Sequence, residues 1–360
     1  MTRAFNFSAG PAMLPEPVMR VAQSEWLEWN GTRASVIEIS HRSKEFIALA
    51  EQAEADLREL LGVPEDYAVL FLQGGATWHF AQIAMNFAGR DGSADYVLTG
   101  DWGEKALREA RPLTGVRIAA SSAASGFDRI PPRGSWDLAP DAAYVHVTSN
   151  ETIRGVEFRD VPDVGDVPLI ADMSSDILSR PIDVSRFGAI YAGAQKNIGP
   201  SGLVVMIVRQ DLLARCPDDL PKIFSYAELA AHKSMLNTPN TFGWYLAGLV
   251  FRWLKAEGGL AAMEIRNQAK ASLLYDCIDG SGWYRNPVEP AARSRMNVPF
   301  VLPDPALDPV FLEESKVAGL LALKGHRAVG GMRASLYNAM PIEGVRALVD
   351  FMRDFARRHG

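Results

Sequence analysis

Residues 192–202 read Ala-Gly-Ala-Gln-Lys-Asn-Ile-Gly-Pro-Ser-Gly and set Lys196 among small neighbours at the end of the apolar run 189–192. Lysine is strongly hydrated and seldom sits in such company without a task. Gly193, Ala194, Gly199 and Gly202 let backbone or a flat ring approach closely. A lysine amine in that setting can form a Schiff base with a carbonyl. Taken alone, a lysine reads first as a solvated loop residue, so the surroundings of Lys196 decide.

Asp172 ends the run Leu169-Ile170-Ala171-Asp172, where open α/β sheets place ligand-binding residues. A carboxylate there can pair with a protonated pyridine nitrogen, as pyridoxal phosphate (PLP) would present it. The competing reading is a turn or helix-capping aspartate. Phosphate needs donors, and Gln73-Gly74-Gly75-Ala76-Thr77 joins a predicted strand to a predicted helix with small residues. Its backbone N–H groups and the Thr77 hydroxyl suit an anion, although such a join also serves packing. Trp102 follows another strand and could stack on a planar ring or fill the core. Asn150-Glu151-Thr152 offers polar groups at the same sheet edge. His41-Arg42, His326-Arg327 and Arg333 lie in turns and suit carboxylate or phosphate, though each alone also fits a surface salt bridge. If they converge, one substrate carries two anionic groups.

These residues need a sheet to bring them together. Apolar runs at 67–72, 95–99, 143–147, 167–171, 189–192 and 203–208 predict strands covered on both faces, as in a mainly parallel α/β sheet. Helical periodicity appears at 45–61, 78–87, 242–256 and 260–278. After residue 258 the pattern becomes a strand at 296–302, a helix at 310–323, a strand at 333–337 and a last helix at 342–357, a smaller α+β unit. Residues 131–134 and 287–290 read as surface loops.

The chain has 360 residues, 48% of them hydrophobic and 22% charged, with a formal net charge of −6. That balance gives nucleic acid no electrostatic footing, and no apolar stretch is long enough to span a bilayer. Cys216 and Cys277 have no metal-ligand spacing and suit a reducing compartment. The beginning of the chain lacks the apolar core of a signal peptide, so the expectation is a cytoplasmic protein acting on small molecules.

The sequence closely resembles the phosphoserine aminotransferases, PLP enzymes of fold type I. The likeness is carried by 5–14 (Phe-Asn-Phe-Ser-Ala-Gly-Pro-Ala-Met-Leu), 40–46 (Ser-His-Arg-Ser-Lys-Glu-Phe), 150–155, 172–183, 191–202, 237–242 and 325–333. The resemblance implies a large domain, 15–258, with a mainly parallel seven-stranded sheet, and a small α+β domain, 259–360, against which 1–14 packs. It implies Lys196 as the Schiff-base lysine and Asp172 as partner of the pyridine nitrogen. Trp102 would stack on the ring and Thr152 would bond its phenolic oxygen. Ala76, Thr77 and Gln195 would hold the phosphate, joined by Asn237 and Thr238 from the other subunit of a homodimer. Arg333 would take the substrate α-carboxylate, with His41, Arg42, His326 and Arg327 around the distal anion.

The implied reaction is transamination between L-glutamate and 3-phosphohydroxypyruvate, with 4-phosphohydroxy-L-threonine as a second substrate. Two departures stand out: Ala76-Thr77-Trp78-His79 replaces the Gly-Arg-Gly-Gln of one bacterial form, and Ala9 replaces a serine. Rival readings are another PLP aminotransferase of the alanine–glyoxylate type, which leaves the His-Arg pairs unexplained, and a cysteine desulfurase, for which neither cysteine looks poised. A PLP-binding regulatory protein would need a DNA-binding segment that the chain does not show. No metal ligand set is expected.

Overall fold

Seven strands, six of them near-continuous apolar runs, build one sheet: β1 (Tyr67–Gln73), β2 (Ser93–Leu98), β3 (Gly115–Ser121), β4 (Val145–Thr148), β5 (Leu169–Asp172), β6 (Ala189–Gly193) and β7 (Leu203–Arg209). The computed structural model describes residues 3–360; Met1 and Thr2, part of the expected 1–14 segment, lie outside the described residues. The strand order is β1-β7-β6-β5-β4-β2-β3. β7 runs antiparallel to both neighbours, and the other pairings are parallel.

Both faces of the sheet are buried, which is why its strands lack polar alternation. Successive residues point to opposite sides. Phe71, Val147, Ala171, Ile190 and Val205 enter one core with helices α1 (Lys44–Leu61) and α4 (Thr241–Ala256). Leu70, Leu72, Tyr96, Ile170, Tyr191 and Met206 enter the other, against α2 (Ala76–Ile83) and α3 (Asp101–Ala110). A third core gathers Phe7, Leu274, Val298, Phe300, Phe311, Met332, Leu348 and Phe355 around α5 (Gly259–Ser281) and α6 (Ile342–His359). There Phe5–Asn6 pairs in parallel with Leu320–Leu321.

Several expectations need correction. The helix expected at 310–323 ends at Val317, because Gly319 turns with φ +79° and Leu320–Leu321 forms an edge strand. The helix expected from residue 78 begins at Ala76, since Gly75 supplies an extended N-cap residue. Its 84–88 end winds as a π-helix. Residues 115–121, with only partial burial, form the edge strand β3 that periodicity missed. Neither proline-rich loop is wholly exposed: Arg133–Ser135 and Pro290–Ala292 are 3₁₀ turns, and Val288 is buried.

Candidate active site

The carboxyl ends of β1, β2, β4, β5 and β6 all open onto one cavity of about 310 Å³. Its walls include Gly74, Ala76, Thr77, Trp102, Thr148, Asn150, Thr152, Asp172, Ser174, Gln195 and Lys196. Parallel strands direct their C-terminal turns to one sheet edge, so residues more than a hundred positions apart converge. Among the described residues no helix is long and apolar enough to cross a membrane.

Lys196 lies three residues beyond the buried end of β6, in a turn closed by Gly199 N–H bonding the Ala194 carbonyl at 2.8 Å. Its Nζ donates to Thr152 Oγ1 at 2.6 Å and stands 5.8 Å from the Trp102 ring centroid. Burial pushes the Lys196 amine down to about 8, although the charge of Asp172 works the other way. Asp172 is 5% exposed, and its Oδ1 accepts the Ser174 N–H at 2.9 Å. Burial raises its pKa, while the bonds from Ser174 and the charge of Lys196 pull it back. Ser174 also uses its Oγ to accept the Gly193 N–H at 3.0 Å, tying the Asp172 turn to the Lys196 strand.

The hairpin strand Asn150–Glu151 pairs with Val156–Glu157, and Thr152 follows it. Asn150 is held by its Nδ2, which donates to Ser175 Oγ and Asn297 Oδ1, both at 2.9 Å. Glu151 accepts the amides of Trp102 at 3.1 Å and Gly103 at 2.8 Å. Burial pushes Glu151 up to about 8, with those two amides pulling against it. Arg333 reaches the site from the strand Met332–Ser335, its guanidinium donating to the Thr152 carbonyl at 3.3 Å. Tyr337 donates to the Ala9 carbonyl at 2.8 Å and accepts from Asn297 at 3.1 Å.

Thus Ala76, Thr77, Trp102, Thr152, Asp172, Gln195 and Lys196 come together on the cavity wall, and Arg333 stands behind Thr152. Trp102, expected at a strand end, belongs to the first turn of α3. Asn237 and Thr238 are exposed, and within the one chain they meet the Gln73 side chain at 3.2 and 2.8 Å. His41, Arg42, His326 and Arg327 are not on the cavity wall of a single chain. His41 is buried just before α1 and Arg42 is exposed. His326 and Arg327 lie in the loop closed by Gly325 N–H on the Gly331 carbonyl at 2.8 Å. Sequence reasoning missed Thr148, Ser174, Ser175 and Asn297; only their proximity to apolar strand ends could have flagged them.

The donor set fits PLP. Trp102 Nε1, Thr148 Oγ1, Asn150 Oδ1 and Arg333 Nε are buried polar atoms that find no hydrogen-bond partner among the described residues. The backbone amides opening α2 present a phosphate-sized donor cluster at a helix N-terminus. A depressed lysine amine, a buried carboxylate and an indole complete what an aldehyde-bearing pyridine ring requires. Neither cysteine lines the cavity, and burial raises both thiols, so thiolate chemistry has no basis here.

A model of the class-V aminotransferases matches residues 4–348. Phosphoserine aminotransferase of Stenotrophomonas maltophilia (strain R551-3) is 62% identical over 361 residues, covering 100% of both chains. The structure of phosphoserine aminotransferase from Bacillus circulans subsp. alkalophilus superposes with a TM-score of 0.98 at 49% identity, covering 99% of each chain. PLP-bound phosphoserine aminotransferase from Trichomonas vaginalis gives a TM-score of 0.93 at 42% identity, over 98% of this chain and 100% of that one.

Proposed function

The chain belongs to the class-V aminotransferases, in the phosphoserine aminotransferase family, and on that premise we propose how its own residues carry the reaction. It is a PLP-dependent enzyme that transfers an amino group between L-glutamate and 3-phosphohydroxypyruvate, giving O-phospho-L-serine and 2-oxoglutarate. The observation that carries this reading is Lys196, poised near neutrality between Thr152, Trp102 and Asp172.

PLP, when bound, supplies an electrophilic carbonyl and a ring that accepts the electrons released at an amino acid's Cα. Lys196 would hold that carbonyl, and its free amine would move the proton at the substrate Cα as general acid and base. Burial that lowers the amine to about 8 raises the neutral fraction, the form that takes the proton, at physiological pH. Asp172 pairs with the pyridine nitrogen and keeps it protonated, and Ser174 fixes the carboxylate for that role. The first-turn amides at Ala76 and Thr77, with Gln195, hold the phosphate. Trp102 would cover the ring, and the Thr152 hydroxyl, which accepts from Lys196 here, would hold the phenolic oxygen.

Arg333 clamps the α-carboxylate common to both substrates. His41, Arg42, His326 and Arg327 then receive a distal anion, phosphate in one half-reaction and the glutamate γ-carboxylate in the other. One site serving two substrates in turn gives ping-pong kinetics. The same pocket accepts 4-phosphohydroxy-L-threonine, which carries the same two anions.

A homodimer completes the site. Beside the cavity runs a second groove lined by Phe71, Gln73, Trp78, Ile223 and Asn237, with Trp78 64% and Ile223 45% exposed. A second copy seated there brings Asn237 and Thr238 to its neighbour's phosphate. We place the enzyme in the cytoplasm and divide it near residue 258 into a PLP-binding domain and a smaller one. Phosphoserine should discharge the visible absorption of bound PLP and serine should do so poorly; an equal response to both would remove the distal anion site.

A further inference from the structure

Glu151 is fully buried, yet among the described residues it forms no salt bridge. Instead Oε2 accepts the Trp102 N–H at 3.1 Å and Oε1 the Gly103 N–H at 2.8 Å. These are orphan amides of the first turn of α3, whose N-cap residue, Gly100, offers no side chain of its own. A cap normally comes from a serine, threonine, aspartate or asparagine at that position. Here it comes from 48 residues along the chain, and the helix makes room for it: a Cβ on Gly100 would lie 2.4 Å from Glu151 Cδ. A second clasp from the same hairpin joins Arg154 Nε to Asp101 Oδ2 at 2.6 Å.

The clasp links the two halves of the site. Glu151 precedes Thr152, whose hydroxyl holds Lys196 Nζ at 2.6 Å. Through the amides it grips Trp102, whose ring centroid is 5.8 Å from that same Nζ. We propose that Glu151 is a positioning residue, setting the Trp102 indole in register with Thr152 and Lys196 so that it lies against the cofactor ring. This rests on the reading of Trp102 as the residue that covers the ring.

The test is titration of the apoenzyme with PLP, read by the induced circular dichroism of the bound cofactor. At pH 9, where the Glu151 carboxylate is ionised, Glu151→Gln keeps the shape but turns one acceptor into a donor facing an N–H, and should weaken PLP affinity about tenfold while reducing the dichroic band. Trp102→Phe and the double variant complete a cycle. If Glu151 acts through Trp102, the double variant binds PLP no worse than Trp102→Phe alone. Full additivity, or wild-type affinity and dichroism in Glu151→Gln, overturns the proposal. Wild-type affinity in Trp102→Phe would instead refute the ring-covering reading, a distinct outcome. Should Glu151→Gln not fold, Gly100→Ala crowds the same carboxylate from the helix side and carries the same expectation.

Discussion

Raising the pH from 6 to 9 should accelerate capture of PLP by the apoenzyme in a way that reports Lys196 directly. Only the neutral amine attacks a carbonyl. With burial holding Lys196 at about 8 rather than 10.5, about a tenth of it is neutral at pH 7, roughly 300-fold more than an exposed lysine. Stopped-flow absorbance should show the rate rising about tenfold per pH unit to an inflection near 8, then levelling. Asp172→Asn removes the charge that favours the ammonium, so its inflection must fall below that of the wild type. An inflection near 10, or one displaced upward in Asp172→Asn, would refute the argument. The depression also costs the folded state roughly 3 kcal/mol, from 1.36 kcal/mol per pH unit. That cost is fully present below pH 8, where both states hold the proton. It is relieved as pH rises, because between about 8 and 10.5 the unfolded chain keeps a proton that the folded chain has lost. Lys270, buried on three backbone carbonyls and pushed down to about 7, acts in the same direction. Urea unfolding of the apoprotein should therefore show stability rising from about pH 7 to about 10.5, as these two lysines lose in the folded state a proton that the unfolded chain keeps.

Asn297 bonds Asn150 at 2.9 Å, Ser335 at 3.0 Å and Tyr337 at 3.1 Å, all buried. Asn297→Leu strands three polar groups and should cost about 3 kcal/mol in urea unfolding; a loss below about 1 kcal/mol would mean that water replaces the bridge. Arg333→Lys gives up the planar fork and should raise KM for glutamate about 30-fold with a smaller change in kcat; equal KM values would place the α-carboxylate elsewhere. Arg42→Ala and Arg327→Ala should raise KM for the phosphorylated keto acid and leave PLP affinity unaltered, and unchanged kinetics would make these arginines structural. Sedimentation should give twice the mass of 39.4 kDa, and Trp78→Glu, charging the exposed groove, should shift it towards the monomer.

The seven-stranded sheet was legible because six of its strands are buried on both faces and announce themselves as unbroken apolar runs. β3 escaped because its residues 115–118 alternate without strong hydrophobicity at the sheet edge. Asp172, Lys196 and the Gly74-Gly75 turn stand at strand ends, where local pattern alone marks them. Glu151 and Asn297 were invisible as functional residues, since each acts on a partner dozens to more than a hundred positions away. The distal cations were legible by type but not by place: a single chain leaves His41, Arg42, His326 and Arg327 off the cavity wall. On the proposed reading, a second copy and the Gly325–Gly331 loop bring them together.

The most direct measurement follows phosphoserine formed from 3-phosphohydroxypyruvate and L-glutamate by the purified protein with PLP, beside Lys196→Ala prepared identically. The account predicts glutamate-dependent product with parallel double-reciprocal lines in the wild type and none in Lys196→Ala. Turnover retained by Lys196→Ala, or no phosphoserine from the wild type, would contradict it.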